Sequence, residues 1–422
     1  MSAAFTARAS IAAGWIAAAM GASIPVSVAS DNALLGLLLG LWALAGGPRR
    51  SWEALRASRA AQLALGLLAL LGLGALWAEV PAGERLATLW KYRELALIVI
   101  LLPLFADPRV RRQGLVALCA AVIVSVLISY LLHFGLAPGG GVFKGGPADP
   151  YVFKLRITHN FLAVFGAFVL AAAALRARPP WQRAVLSLLA LACVLNVVLL
   201  VQGRTGYVVL AGLVTYAFAA RLGWKGVIAG AGLVGALGLA AFYGSNAFHD
   251  RVVQTWHEAE AARDDPAAPT SVGLRLQFYR TSAEIVRDHP FLGVGTGGFA
   301  EAYAERVRGT AMEPTRNPHN EYLLLASHVG LGGPLLFVLL LGALWRACGR
   351  LPKRSLEREV GQAMVIAMAL GCVFNAFLLD HTEGLVFAWV SALALGARLD
   401  RAATSAESQP SEELRHRASG AR

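Results

Sequence analysis

The sequence predicts an all-α, polytopic integral membrane protein, and two observations carry this prediction. Of the 422 residues, 57% are hydrophobic and only 15% are charged, and the mean hydropathy of +0.57 is too high for a water-soluble fold. Apolar segments of spanning length also recur along the whole chain, because a hydrocarbon core about 30 Å thick needs about 20 apolar residues per helix.

By this criterion we expect about twelve transmembrane helices. They are predicted at residues 10–28, 32–45, 60–77, 86–105, 115–132, 159–175, 184–201, 207–220, 226–243, 321–345, 362–379 and 385–397. Nine of these helices fall within residues 1–243 and three within residues 321–397. Between them lies one large hydrophilic segment, residues 244–320, which we call the excursion, and a polar tail follows at 398–422.

The distribution of lysine and arginine predicts the orientation of the chain. Every second short loop is rich in arginine and nearly free of acidic residues, and such loops stay in the cytoplasm. Both termini are therefore expected to be cytoplasmic, while residues 134–158, the hinge at Arg204, the excursion and residues 380–384 face outward. The formal net charge of +12 then follows from topology, and no nucleic-acid partner is expected.

Local signals at the chain start and at the cysteines are unremarkable. The N-terminus lacks a small-residue cleavage site and is interpreted as the first span, joined to the second by a turn at Ser30-Asp31-Asn32. The four cysteines have irregular spacing and form no C-x-x-C pair, so neither a metal site nor a disulfide framework is expected.

The end of the excursion carries the candidate catalytic base. It reads Asn317-Pro318-His319-Asn320 ahead of an apolar helix. An imidazole with a reference pKa of about 6.5 can take a proton from a hydroxyl near neutral pH. The alternative for His319 is a polar residue that caps a helix at the interface, and Asn320 either orients His319 or is a plain helix N-cap.

Three arginines are candidates for binding phosphate. Arg275 and Arg280 lie in residues 273–286, where apolar residues at helical spacing predict an amphipathic helix at the membrane surface. A solvated helix face is the alternative. Arg204 stands between glycines at a membrane boundary, where it binds a diphosphate in a bidentate manner or reaches to lipid headgroups.

A glycine-rich stretch, residues 288–299, separates these arginines from His319. It lacks the lysine and hydroxyl residue of a P-loop and the strand that precedes a dinucleotide site. We predict instead a tight turn with positive φ angles, which ends one amphipathic helix at Pro290 and begins another near Phe299. Catalysis by cations and one base needs no metal, and none is expected.

Taken together, three places in the chain resemble the O-antigen ligase family, within the larger group of O-antigen ligases, O-antigen polymerases and bacterial O-oligosaccharyltransferases. They are Arg204-Thr205-Gly206, Arg275 with Pro290-Phe291-Leu292-Gly293-Val294-Gly295, and His319-Asn320 with Leu323 and Gly330. The resemblance implies periplasmic transfer of a preassembled polysaccharide from undecaprenyl diphosphate to a hydroxyl of lipid A-core at the bacterial inner membrane, without a cofactor. It also implies that His319 activates the acceptor, while Arg204 and Arg275 hold the diphosphate.

Further residues are weaker candidates. By position, Asp380 in the last outward turn matches an acidic residue of the family. His159-Asn160 repeats the histidine-asparagine pair at another outward helix start, which Arg156 precedes. A single displacement at the anomeric carbon predicts inversion.

Three other functions compete with the ligase interpretation. A polymerase more often has two large outward loops rich in arginine, whereas residues 134–158 are short. A protein O-oligosaccharyltransferase tends to carry a larger C-terminal outward domain. A transporter of lipid-linked sugar would bury charges within several spans, whereas these arginines cluster at one face.

Overall fold

A computed structural model describes residues 2–201, 203–244, 246–264 and 270–419, without the side chains of residues 3, 246, 247, 264 and 403–419. Within these ranges the chain forms α-helices and no strand, which confirms the predicted all-α membrane fold. The cysteines, all buried, are free thiols.

The helices fall into three groups along the chain. The first group is α1 (Ala3–Ser23), α2 (Val28–Leu44), α3 (Gly47–Ala57), α4 (Arg59–Gly74), α5 (Ala82–Lys91), α6 (Glu94–Leu101) and α7 (Pro108–His133). The second group is α8 (Arg156–Ala174), α9 (Pro180–Leu195), α10 (Arg204–Leu222) and α11 (Trp224–Gly244). The third group is α12 (Asn246–Asp264), α13 (Ser271–Asp288), α14 (Phe299–Val307), α15 (Glu321–Val329), α16 (Gly332–Gly349), α17 (Leu356–Phe374) and α18 (His381–Ser419).

Among the described residues, seven helices are long and apolar enough to cross a membrane, or eight if α2 and α3, bent by 93°, form one span. The seven are α7, α8, the π-extended α9 (Pro180–Leu200), α10, α11, α16 and the first part of α18 (His381–Ala402). This count is lower than the expectation of about twelve. One reason is that the expected span 86–105 is broken into two short helices, whereas a break in the expected span 321–345 leaves α16 long enough to count.

The break in the expected span 86–105 lies at Tyr92 and Arg93, between α5 and α6. It places the Glu94 carboxylate, only 3% exposed, among polar partners inside the bundle. The second break, in the expected span 321–345, lies at Gly330, whose φ of 71° suits glycine. A Cβ atom at Gly330 would also collide with the backbone of Phe291.

Contacts with the glycine-rich loop hold the C-terminal end of α15. Val294 N donates to Ser327 O at 2.8 Å, and Leu331 N donates to Pro290 O at 2.8 Å. The other face of the loop borders a cleft of about 490 Å³ whose lining includes Trp77. The loop therefore clamps the junction between α15 and α16.

The turn expected at Ser30-Asp31-Asn32 is wrong, because these residues lie in the first turns of α2. Ser27 caps the helix instead. The Asp31 side chain is fully buried and accepts a hydrogen bond from Ser23 Oγ at 2.5 Å. A residue expected in a solvated turn is thus part of the bundle interior.

The excursion folds as predicted around its proline and glycines. Helix α13 covers the expected helix at 273–286 and ends at Asp288, just before Pro290, while α14 begins at Phe299. The loop between them has positive φ angles at Gly293, Gly295 and Gly297. The predicted tight turn is therefore confirmed.

A small apolar cluster fixes the excursion to the rest of the bundle, and we call it the excursion core. Its buried residues are Phe278, Ile285, Phe299, Tyr303, Val307, Leu324 and Ala376. Because these side chains come from α13, α14, α15 and the segment after α17, the cluster holds the excursion helices against one end of the bundle.

Candidate functional site

His319 has an unusual backbone conformation at the end of the excursion. Its φ of 53° is left-handed, and it is the one described non-glycine residue with a positive φ. The side chain of Asn317 accepts a hydrogen bond from His319 N at 2.8 Å, which supports this turn. A non-glycine residue in this region costs about 1–3 kcal/mol and persists only where its surroundings hold it.

The imidazole of His319 is half-buried and unprotonated at neutral pH. Its ring stacks on Phe278, with centroids 6.0 Å apart and planes at 27°. Burial lowers the pKa of His319 below its usual value, and the positive charge of Arg275 lowers that pKa further. A general base needs this neutral state, because only the free nitrogen lone pair can take a proton.

Asn320 is a helix cap. Its Oδ1 accepts from Leu323 N at 3.0 Å, and its Nδ2 donates to Val373 O at 3.0 Å. Its side chain makes no hydrogen bond to the imidazole of His319 among the described residues. The capping interpretation is confirmed.

Arg204 begins α10 and pairs with a carboxylate that sequence reasoning missed. One guanidinium nitrogen of Arg204 lies 2.8 Å from Glu258 Oε2, and the Arg204 side chain is only 20% exposed. Glu258 Oε2 also accepts from Val272 N at 3.3 Å. Arg204 is therefore bound within the protein rather than extended to solvent, although its buried Nε has no hydrogen-bond partner among the residues that the structure describes.

Arg204 is one of four neighbouring cations that we call the arginine cluster: Arg156, Arg204, Arg251 and Arg275. Burial lowers the pKa of Arg275, and the charges of Arg204 and Arg251 lower it further. Burial lowers the pKa of Arg251 as well, and the charges of Arg204 and Arg156 add to this effect. Glu258 opposes both shifts, and Arg156 is ion-paired with Asp149. Guanidinium groups thus outnumber carboxylates here.

Two other candidates lie apart from this cluster. Arg280 is exposed on α13 and follows Arg275 by five residues, which turns its side chain by about 140° around the helix. His159 is 4% exposed inside the bundle, where Nε2 lies 2.9 Å from Asn196 Oδ1 and Nδ1 lies 3.5 Å from Ser125 Oγ. This arrangement is that of a core histidine with its hydrogen bonds satisfied.

Residues 373–380, which we call the connecting segment, join the parts of the site. Val373 O accepts a hydrogen bond from Tyr279 Oη at 2.8 Å as well as the one from Asn320. Asn375 Nδ2 donates to Thr205 Oγ1 at 3.0 Å. The segment therefore ties α13, the start of α15 and the start of α10, so that Arg275, His319 and Arg204 meet at the same end of the bundle.

Glu321, the residue after Asn320, anchors this arrangement and was also missed. Its carboxylate is fully buried. Oε1 accepts from Tyr92 Oη at 3.1 Å, and Oε2 accepts from Leu378 N at 2.9 Å. The available signal was an acidic residue in the first turn of an apolar helix, which we assigned only as a helix boundary.

The glycine of Arg204-Thr205-Gly206 has a packing role. A Cβ atom at Gly206 would lie 2.9 Å from the Cβ of Asn160 on α8, which is too close. Asn160 in turn donates to Val201 O at 2.7 Å. All three residues of the motif therefore have a defined contact. Arg204 pairs with Glu258, Thr205 accepts from Asn375, and Gly206 lets α10 pack closely against Asn160.

Asp380 ends the connecting segment and directly precedes α18. Burial raises the pKa of Asp380 to about 6, and the positive charge of Lys91 opposes this shift. Asp380 also acts electrostatically on Glu321 and Tyr92, so it lies near the Glu321 anchor.

A second group of charges lies inside the bundle, and we call it the buried ion network. Its members are Asp31, Arg93, Glu94, Lys154, His381 and Glu383. His381 stands between two carboxylates, with Nδ1 2.8 Å from Glu94 Oε1 and Nε2 3.5 Å from Asp31 Oδ2. Lys154 Nζ lies 3.8 Å from Asp31 Oδ2 and donates to Thr382 Oγ1 at 3.0 Å. The network joins α2, α6 and α18 to the segment before α8.

The arrangement around His319 suits one type of chemistry. A neutral imidazole can accept a proton, and a preorganised excess of guanidinium groups can stabilise negative charge that develops on a departing phosphate. Arg204, Arg251 and Arg275 supply that excess near the base.

Comparison with known families agrees with this chemistry. Residues 189–340 match the family model described as O-Antigen ligase. The matched segment contains Arg204, Arg275 and His319, and it ends in α16. No curated protein matches the chain. The match supports a membrane glycosyltransferase of ligase or polymerase type that acts on lipid-linked saccharides. Residues 189–340 therefore match the O-Antigen ligase domain, and the chain is a multi-pass membrane protein.

Proposed function

We propose that the protein is an O-antigen ligase. It transfers O-antigen polysaccharide from undecaprenyl diphosphate to a hydroxyl of lipid A-core, at the periplasmic face of the inner membrane, with both termini in the cytoplasm. The observation that carries this proposal is the neutral, half-buried imidazole of His319 next to the positive charge of Arg275. Both residues lie within the segment that matches the family.

The reaction is a single displacement at the anomeric carbon of the donor. The acceptor hydroxyl oxygen attacks C1, and His319 takes the hydroxyl proton as the new C1–O bond forms. The bond from C1 to the diphosphate oxygen breaks, and the undecaprenyl diphosphate leaves with the electron pair. Because attack and departure occur on opposite faces of C1, the configuration inverts.

The arginine cluster stabilises the departing diphosphate. Arginine binds phosphate oxygens through a planar pair of N–H donors, and each charge-assisted hydrogen bond contributes roughly 1.5–3 kcal/mol. Among the described residues the Nε of Arg204 has no hydrogen-bond partner, while one terminal nitrogen pairs with Glu258. The diphosphate supplies the missing negative charge in a cluster that Glu258 compensates only in part.

Supporting residues hold this geometry. Asn320 caps α15 and bonds the connecting segment, and Asp380 ends that segment near Glu321. Arg156 adds a positive charge to the arginine cluster, and this charge acts on Arg251. Arg280 is outside the proposed site because it is exposed on another face of α13, and His159 because it is buried in the bundle with its own hydrogen-bond partners.

The experiment that tests the proposal mixes purified protein with undecaprenyl-diphosphate-linked glycan and rough lipopolysaccharide, without ATP or added metal. The expected product is glycan on lipid A-core. Lengthened lipid-linked glycan would instead identify a polymerase, and glycan on an added protein acceptor would identify an oligosaccharyltransferase. Movement of the lipid-linked sugar across vesicles without any transfer would identify a transporter.

A further inference from the structure

A polar cavity lies between α5, α14 and α15. Its volume is about 140 Å³, which is close to the size of one sugar ring. The side chains that matter here are Glu84 and Lys91 of α5, Phe299 of α14, Arg316, and Leu324 and His328 of α15. No member of the arginine cluster lines this cavity.

One wall of the cavity is a buried histidine with an unmet hydrogen bond. His328 is only 3% exposed, and its Nδ1 is buried without a partner among the described residues. The ring meets Tyr92 edge-on, at 6.3 Å between centroids. Leaving a buried polar atom unpaired is costly, so a group that is held only for packing would normally be apolar. The imidazole thus places a polar side chain in the cavity wall, where an apolar one would suffice for packing.

The charged groups at the cavity are not tied up in hydrogen bonds or ion pairs among the described residues, although the charge of Lys91 also acts on Asp380. The side chains of Glu84, Lys91 and Arg316 make no hydrogen bond or ion pair with any other described residue. Lys91 and Arg316 together suit an anionic group, because arginine binds carboxylate or phosphate with a planar fork and lysine adds a point charge. The Glu84 carboxylate accepts hydrogen bonds from hydroxyls. This mixture of cations and one acceptor fits an acidic sugar.

The cavity is connected to His319 through the excursion core. Phe299 and Leu324 line the cavity and belong to the excursion core together with Phe278, whose ring stacks on His319. Arg316 precedes His319 by three residues in the same segment. A sugar in the cavity would therefore be close to the base and yet would not be the sugar that reacts.

We propose that this cavity binds an anionic sugar of the acceptor, remote from the hydroxyl that is glycosylated. The identity of the ligand as part of the acceptor rests on the proposed function. Binding energy from a remote part of a substrate holds the reacting group in position. The cavity is thus a subsite for the acceptor, distinct from the arginine cluster, none of whose members line it.

Direct binding tests the subsite without catalysis. The full-length protein in nanodiscs is titrated calorimetrically with delipidated core oligosaccharide from rough lipopolysaccharide. We expect the double variant Lys91→Gln/Arg316→Gln to bind it at least tenfold more weakly than the parent. The control variant Arg308→Gln, an exposed arginine of the excursion outside the cavity, should bind it as the parent does. Phosphatase-treated and carboxyl-reduced oligosaccharides then identify which anionic group is bound.

A transfer assay adds a kinetic readout. The same double variant should have a raised KM for the acceptor, a kcat within about twofold of the parent, and an unchanged KM for the donor. Equal binding by a folded double variant and the parent would overturn the subsite, and so would the absence of binding to the parent. Binding that depends on Lys91 and Arg316 in a protein that performs no ligation would keep the subsite and reject the proposed function.

Discussion

The arginine cluster and the buried ion network both hold charges away from water, but they differ in balance. In the network, three carboxylates stand among Arg93, Lys154 and His381. In the cluster, four guanidinium groups have Glu258 and Asp149 as their only carboxylate partners among the described residues. The charges of the buried ion network are therefore balanced by its own members. The arginine cluster carries an excess of positive charge that a bound anion would balance.

This difference separates a structural role from a functional one. Buried charges are costly unless they are paired, so a balanced network mainly fixes helices relative to one another. An uncompensated group of like charges is a cost that folding alone does not explain, and perturbed groups of this type are concentrated at functional sites. The following tests ask whether changes in the two regions have these different consequences.

The largest effect is expected from His319→Asn. Asparagine tolerates the left-handed backbone at this position better than alanine, so the variant removes the base with little added strain. Loss of a general base should lower the rate of transfer by about 10²–10⁴-fold. Single-turnover transfer with purified protein measures it, and the lipid-linked polysaccharide should accumulate in cells. A rate within tenfold of the parent would remove His319 from the mechanism.

The next effect compares two arginines of one helix. Arg275→Gln removes a member of the cluster and should weaken donor use by about 10- to 100-fold, the value of one charge-assisted hydrogen bond. Arg280→Gln changes an exposed arginine on another face and should stay within about twofold. The measurement is kcat/KM for the lipid diphosphate donor. Equal losses of kcat/KM in the two variants would contradict the placement of Arg275, but not Arg280, at the donor site.

A change in the buried ion network should affect folding instead. Lys154→Met leaves Asp31 with one basic partner fewer, and breaking a buried pair costs about 3–5 kcal/mol. Lys144→Met, at an exposed lysine of the same segment, is the matched control and should change little. Thermal unfolding in detergent gives stability, and transfer per folded molecule should remain at the level of the parent. Normal stability with lost transfer would place Lys154 in the site.

The smallest effect concerns pH. Because burial and Arg275 lower the pKa of His319 below its usual value, the imidazole stays unprotonated until the pH falls through that lowered value. Activity should therefore decline only below about pH 6.5, the reference pKa of histidine. Arg275→Gln removes one cause of the shift, so the acid limb of its kcat/KM profile should move to higher pH. A shift to lower pH would contradict the charge coupling between the two residues.

The sequence alone predicts much of the scaffold because helix length and local breakers are local properties. Pro290 ends α13 and the glycines after it adopt positive φ, as expected. Arg204, Arg275 and His319 could be selected because cations and an imidazole at membrane boundaries are costly without a purpose. These features need no knowledge of which helices touch.

The carboxylates were missed because their meaning depends on tertiary contacts. Glu258 lies 54 residues from Arg204, and Glu321 meets Tyr92 across 229 residues. Lys154 and Asp31 belong to segments that were expected to be solvated, yet both fold back into the bundle. The local sequence pattern is the same for a charged residue that stays in a solvated loop and for one whose loop folds back and buries it.

The clamp between the glycine-rich loop and α15 offers a route to inhibition. The loop holds the junction behind the helix that follows His319, and its other face borders the cleft near Trp77. A compound that binds in this cleft and shifts the loop would displace His319, the proposed base, without imitating a diphosphate. Such a molecule could be uncharged, which would spare it the poor permeability of phosphate mimics.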